Sequence, residues 1–147
     1  MQGCAQSGKL DIPASKDDST GMISTLSLVA LGGAVGAGLR FLSGVAVLRL
    51  LGPSDFPVAI IFVNVVGSFL MGVFVVFAAE RGLTHLSPLV MTGLLGGFTT
   101  FSAFSLETVL LIERGNITAA AFYVLVSVVV SIGALMLGVW MTRGVLS

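Results

Sequence analysis

The chain has 147 residues, of which 56% are hydrophobic and only 10% charged, and its mean hydropathy is +1.09. A soluble domain carries about 25% charged residues, so the composition excludes an ordinary water-soluble fold and predicts an integral membrane protein. The formal net charge is zero, which argues against a nucleic-acid partner, and the single cysteine excludes an internal disulfide framework or a multi-cysteine metal site.

The first 21 residues are rich in Ser, Gly, Asp and Lys and have no apolar periodicity. We therefore predict that residues 1–21 form a disordered tail, and Met22 is an equally good start of the chain. Cys4 lies in this tail behind only three residues, too few for the apolar signal segment that lipidation requires. Residues 22–147 are predicted to form one compact domain.

Four long apolar segments make up that domain. The predicted spans are about residues 22–48, 56–79, 86–112 and 117–142. Each has the roughly 20 apolar residues that a helix needs to cross a bilayer, and the polar connections are too short to hold a soluble domain. The lone His85 lies in one such connection, where a solvated surface histidine is expected. The chain is thus predicted to be an all-α, multi-pass protein of the cell (inner or plasma) membrane, surrounded by lipid.

The third span contains an unusual run, GGFTTFSAFS at residues 96–105. Gly and β-branched Thr are poor helix formers, and backbone groups freed at membrane depth are tolerated only against protein or along a watery path. The run therefore predicts a third helix broken near the midplane, with a polar solute using the break. Transport is favoured over catalysis, because the sequence offers no nucleophile–base pair, metal cluster or phosphate loop.

Few polar side chains lie within the spans. Arg40 is deep in the first span and is predicted to face a watery cavity unless it reaches the interface. Asn64 in the second span is a candidate donor or an interhelix hydrogen bond, and Glu107 in the third a candidate ion-pair or hydrogen-bond partner. Ser127 and Ser131 are four residues apart and share one face of the fourth helix.

Three phenylalanines, Phe98, Phe101 and Phe104, are spaced to fall on one helical face. Such a stripe is usually packing or lipid contact. Beside an asparagine amide and hydroxyls, however, the positive edges of these rings would suit a small anion. The amino-terminal end of a half-helix would add donors, and the carbonyl end of the preceding half could hold a cation.

Small residues recur four apart and predict close helix packing. The pairs are Gly32 with Gly36, Ser68 with Gly72, Gly93 with Gly97, and Ala134 with Gly138. Most are expected to pack within the chain. Some are expected to serve a second copy, because four short helices enclose no aqueous path alone.

The positively charged residues near the ends of the spans only weakly specify the orientation of the chain in the membrane. With four spans both termini lie on one side, and that side would hold Lys9, Lys16, Arg81 and Arg143 against Arg49 and Arg114 on the other. Without the tail lysines the count is two against two. The balance is compatible with a weak single orientation or with dual topology, in which both orientations pair as an antiparallel dimer.

Three stretches, residues 32–40, 63–69 and 96–105, resemble the signature stretches of the Fluc fluoride channels, also called CrcB proteins. The resemblance runs from Met22 to about Arg143, and the third stretch is the most specific. It implies an antiparallel homodimer with two narrow pores that export fluoride passively from the cytoplasm.

The same resemblance implies roles for individual residues. Phe101 and Phe104 match the pore phenylalanines, Asn64 the pore amide and Arg40 the vestibule arginine.

It also implies a structural sodium ion at the dimer interface, bound by the backbone carbonyls of Gly96 and Thr99. Ser127, Ser131 and Glu107 fall where the polar track of the family runs along each pore.

Two other functions remain open from the residues alone. One is a small dual-topology, proton-coupled transporter, which needs an embedded carboxylate, and Glu107 is the only candidate. The other is a membrane assembly protein without transport activity, against which the polar residues around a broken helix argue.

Overall fold

The computed structural model describes residues 16–146, with side chains from residue 19 onward, and every regular element in this part of the chain is a helix. Helix α1 is Lys16–Leu51 and α2 is Val58–Glu80. A 3₁₀ turn, Thr84–Leu86, precedes α3 (residues 88–98), in which a π-helical stretch, Pro88–Leu95, continues into the α-helical turn Gly96–Phe98. Helix α4 is Phe101–Glu113 and α5 is Ile117–Leu146.

Four helical segments are long and apolar enough to cross a membrane, which confirms the predicted number of spans. They are Ser19–Leu51, Val58–Glu80, Thr84–Glu113 and Ile117–Leu146. At 1.5 Å per residue, α2 is about 35 Å long, which matches a hydrocarbon core of about 30 Å. The first helix begins at Lys16, so residues 16–21 of the predicted tail are helical, and residues 1–15 lie outside the described residues.

Glycines in a left-handed conformation follow three of the helices, the first being Gly52 after α1 with φ +76°. Gly82 follows α2 with φ +66°, and Gly115 follows α4 with φ +79°. The residue that follows Gly82 or Gly115 returns a hydrogen bond to the helix, as in Leu83 N–H to the Ala78 carbonyl at 2.8 Å. A positive φ is free of steric cost only for glycine, so these residues set the sharp reversals between spans.

Close backbone contacts hold the helices together in two pairs. A Cβ on Gly32 or Gly36 of α1 would overlap the backbone of α3. In the same way a Cβ on Gly72 of α2 would overlap the backbone of α5, and one on Gly138 of α5 the backbone of α2. Without a hydrophobic drive between helices in lipid, such contacts supply the packing energy. These glycines therefore serve packing within the chain, as expected for most of the small-residue pairs.

The buried core is small, and large apolar side chains cover the outside. Leu111, Ala120 and Tyr123 form a buried cluster between α4 and α5. Phe41 and Trp140, by contrast, are 71% and 74% exposed. In water this surface would be an aggregation hazard, whereas in a bilayer it faces lipid or another copy of the chain.

A polar groove at the break in the third span

The third span is broken midway, at Thr99 and Thr100. Both residues are extended, with φ −77° and ψ 162° at Thr99 and φ −154° and ψ 119° at Thr100. Gly96 and Gly97, the pair that suggested the break, are still helical. Glycine weakens the helix there, but the tertiary contacts of the two threonines decide where it ends.

Asn64 of α2 holds the break open. Its Oδ1 accepts a hydrogen bond from the Thr100 N–H at 2.8 Å, and its Nδ2 donates to the Thr100 carbonyl at 3.1 Å. The Asn64 Oδ1 thus takes the place of the Gly96 carbonyl that the Thr100 N–H would bind in a continuous helix, and Nδ2 adds a donor to the carbonyl of the residue that caps α4. This contact is the interhelix hydrogen bond that the sequence left as an alternative, and it leaves one Nδ2 hydrogen for another acceptor.

Arg40 of α1 reaches the same break from the other side. Its Nη1 donates to the Thr99 carbonyl at 3.2 Å, and the side chain is half-buried. The Thr99 hydroxyl turns back to donate to the Leu95 carbonyl at 2.9 Å. The two polar side chains from α1 and α2 therefore bind adjacent peptide units of the broken segment.

The amino-terminal end of α4 carries hydrogen-bond donors and aromatic rings. Thr100 caps the helix, and its Oγ1 accepts from the Ala103 N–H at 3.2 Å. The rings of Phe101 and Phe104 lie 5.5 Å apart at 42°, and Phe104 lies 5.3 Å from the ring of Tyr123. The end of a helix that exposes N–H groups attracts negative charge.

The prediction that three phenylalanines share one face was wrong. Phe98 ends α3 and is only 9% exposed, whereas Phe101 begins α4 and is 78% exposed. The extended threonines between them change the direction of the chain, so helical spacing does not carry across the break.

A groove of about 370 Å³ runs beside the break, between α2, α4 and α5. It is lined by Asn64, Gly67, Ser68, Met71, Thr99, Thr100, Phe101, Phe104, Ser127, Val128, Ser131, Ile132 and Leu135. Its polar groups are hydroxyls, one amide and backbone, and no lysine or arginine is among the lining residues. We call this feature the polar groove.

Three hydroxyls on one face of α5 continue along this groove. Tyr123 Oη, Ser127 Oγ and Ser131 Oγ are buried, and within residues 19–146 none makes a hydrogen bond of regular geometry, although the Tyr123 and Ser127 hydroxyls are close enough to interact with each other. Each unsatisfied buried hydroxyl costs about 1–3 kcal/mol. Three in a row at a spacing of four residues indicate a path that polar occupants, water or an anion, complete.

Five of the seven predicted pore residues meet at the polar groove, Asn64, Phe101, Phe104, Ser127 and Ser131, and Thr99 of the predicted sodium site also lines it. Two lie elsewhere. Arg40 contacts the break from outside the groove lining. Glu107 is half-buried on α4, within electrostatic range of Tyr123.

The sequence reasoning missed two residues. Tyr123 extends the serine row by one further turn, a signal that the spacing of Ser127 and Ser131 already contained. Thr100 was overlooked because its importance lies in backbone contacts, which a motif does not display.

The carbonyl end of α3 fits a cation. The Thr100 N–H, the usual helical donor to the Gly96 carbonyl, is bound to Asn64 instead. Gly96 is exposed on the surface of the chain, and the Thr99 carbonyl already accepts from a cationic side chain. Carbonyl oxygens at the negative end of a helix are suitable ligands for a hard cation. One chain offers two of them, fewer than such an ion requires, so a second copy would have to add more.

The chain was compared with known families and proteins. Residues 27–139 match the family model described as CrcB-like protein, Camphor Resistance (CrcB). A protein named fluoride-specific ion channel FluC from Roseobacter denitrificans is 64% identical over 124 residues, which cover 84% of this chain and 98% of that protein. Proteins of the same name from a Ruegeria species and a Jannaschia species are 62% identical over 126 residues and 73% identical over 90 residues. Those matches cover 86% and 61% of this chain and 100% and 86% of the relatives.

Proposed function

The chain belongs to the CrcB-like family, and from this premise we propose that it is a fluoride-selective channel through which fluoride leaves the cytoplasm passively. The observation that carries the proposal is the row of buried hydroxyls from Tyr123 to Ser131, which leads to the Phe101 and Phe104 rings. The family is one of ion channels and not of enzymes.

The chemistry of the polar groove suits a small anion that accepts strong hydrogen bonds. Serine and tyrosine hydroxyls, the free Nδ2 hydrogen of Asn64 and the positive edges of the rings all present hydrogen toward a solute. Together they replace the water that fluoride sheds on entering. Because the lining carries no formal positive charge, the anion is stabilised at each step without being trapped.

A second copy of the chain would complete the pore. A polar groove that faces lipid leaves its groups unsatisfied, so it requires a protein cover. Without Lys9 and Lys16 the flanking positive charges are balanced, with Arg49 and Arg114 at one end of the bundle and Arg81 and Arg143 at the other. This balance supports an antiparallel homodimer in the inner membrane, with two grooves and therefore two pores.

Sodium is the proposed structural ion of this dimer. An antiparallel pair would bring the Gly96 and Thr99 carbonyls of both copies together, four oxygens in all, as part of a hard-cation shell. The ion would be bound without being transported.

Fluoride flux from liposomes tests the channel proposal. Purified protein is reconstituted with potassium fluoride inside and sodium chloride on both sides, and efflux is followed with a fluoride electrode after valinomycin is added. We expect rapid fluoride loss and none of chloride. Flux that requires an imposed proton gradient would favour a proton-coupled transporter, and absence of flux from a folded dimer would favour an assembly protein.

Replacing sodium with N-methylglucamine on both sides tests the ion. We expect lower fluoride flux and a weaker dimer, and larger alkali ions should substitute poorly. Undiminished flux and an unchanged dimer would remove sodium from the proposal and leave the pore intact.

A further inference from the structure

Two positively charged groups, the Arg40 guanidinium and the proposed sodium ion, would bind the same Thr99 carbonyl oxygen. In the single chain it accepts a hydrogen bond from Arg40 Nη1 at 3.2 Å. It is also one of the two carbonyls of the proposed sodium site. A carbonyl oxygen has two lone pairs, but two positive charges on one oxygen repel each other strongly where water is scarce.

Arg40 is well placed to hold this carbonyl. Its position, one turn after Gly36, is fixed because α1 packs against the backbone of α3 at that glycine. Among residues 19–146, whose side chains are described, the ion pair is Asp55 with Arg114, and the partner of the Arg40 guanidinium is the Thr99 carbonyl. A charge-assisted hydrogen bond of this kind is a strong one.

We propose that the Arg40 guanidinium and a sodium ion compete for the Thr99 carbonyl, so that Arg40 sets the sodium concentration at which the ion binds. The inference rests on the proposed sodium site. Arg40 caps the carbonyl end of α3 when sodium is absent and swings away when the ion enters. Arg40 is thus a positioning residue for the break. It also lowers the affinity for sodium, because the ion must displace its hydrogen bond to the carbonyl.

Sodium-dependent thermal unfolding of the purified protein tests the competition. Sodium chloride is titrated against N-methylglucamine chloride at constant ionic strength, without fluoride, and the sodium concentration giving half of the stabilisation is recorded. We expect this midpoint concentration to be about tenfold or more lower in Arg40→Met, because sodium then no longer displaces a charge-assisted hydrogen bond. Arg49→Met removes the same charge from an exposed position on the same helix and should leave the midpoint unchanged.

An unchanged or higher midpoint in Arg40→Met would overturn the proposal. If sodium stabilises neither the wild type nor the variant, the sodium site and the competition fall together. Fluoride flux from the same preparation then shows whether the channel proposal still stands.

A measurement on the wild-type protein tests the same competition without relying on the folding of a variant. Phenylglyoxal modifies free guanidinium groups, and peptide mass spectrometry locates the modified arginines. We expect sodium to raise the modification rate of Arg40 and not that of Arg49. A rate at Arg40 that is independent of sodium would contradict the competition.

Discussion

Asn64 shows how one side chain can fix the backbone of a membrane protein. Its amide binds both the N–H and the carbonyl of Thr100, at 2.8 and 3.1 Å. Unpaired, the Thr100 N–H would cost several kcal/mol at membrane depth. The residue therefore maintains the break while presenting its remaining hydrogen to the polar groove.

Asn64→Asp is expected to destabilise the protein and abolish fluoride flux. The carboxylate loses the donor to the Thr100 carbonyl and places a negative charge beside both that oxygen and the path of an anion. We expect a loss of about 1–3 kcal/mol in the free energy of unfolding, measured by denaturant titration, and no flux in liposomes. Asn116→Asp in the α4–α5 turn is the matched control and should behave as the wild type. Unaltered stability in Asn64→Asp would contradict the bidentate contact.

Phe101→Ile is expected to cut fluoride flux at least about tenfold with little change in stability, because the ring is 78% exposed in the single chain and its edge is what the anion would meet. Phe104→Ile should lose flux and some stability together, since its ring also packs on Tyr123 at 5.3 Å. Flux is measured with a fluoride electrode and dimer integrity by size exclusion. Phe41→Ile, 71% exposed on α1, is the control. Normal flux in a folded Phe104→Ile protein would mean that these rings only pack.

At the scale of elements, the third span departs twice from a regular α-helix, in a π-helical stretch and in an extended pair of residues. The π-helical stretch Pro88–Leu95 and the extended pair Thr99–Thr100 are stabilised by α1 and α2 and not by local preference. Gly67 of α2 leaves room for the Thr99 methyl, which a Cβ there would overlap. Departures from regular helix often mark functional sites, and here they coincide with the polar groove.

Gly72→Ala tests the packing of α2 on α5. The new Cβ would meet the backbone around Leu135, which cannot rotate away, so the helices must separate. We expect a loss of about 1–3 kcal/mol in the free energy of unfolding. Gly133→Ala, in open space on α5, is the matched control and should be neutral or stabilising by about 1 kcal/mol or less. Equal effects of the two changes would argue against close helix contact at Gly72.

At the scale of the whole molecule, an open polar groove and a balanced set of flanking arginines belong together. The groove is open in the single chain, and in the proposed antiparallel homodimer an inverted second copy would cover it. The Asp55–Arg114 pair, at 3.6 Å, joins the α1–α2 and α4–α5 connections at one end of the bundle. Both side chains are exposed, so the pair adds little stability, but it shows which charges share a side.

Tags at the carboxyl terminus are expected to report both sides of the membrane, because the positive charges near the spans are balanced when the tail lysines, Lys9 and Lys16, are left out. Two lysines added beside Arg81 should force one orientation and reduce flux, and co-expression of an oppositely biased copy should restore it. Accessibility of the tag in intact and opened cells provides the measurement. Wild-type termini on one side alone would overturn dual topology.

The sequence alone determined the membrane class, the four spans and the broken third span, because these follow from local quantities: hydropathy, length and helix propensity. Residue types and a family motif also predicted that Asn64, Phe101, Phe104, Ser127 and Ser131 line the pore. Only the tertiary structure decided that the helix ends at Thr99–Thr100 and not at the glycines, that Phe98 leaves the aromatic face and that Arg40 binds the Thr99 carbonyl. These outcomes depend on contacts between residues 36 to 59 positions apart in the chain, at which a broken helix exchanges its own hydrogen bonds for those of its neighbours. No local pattern contains that exchange.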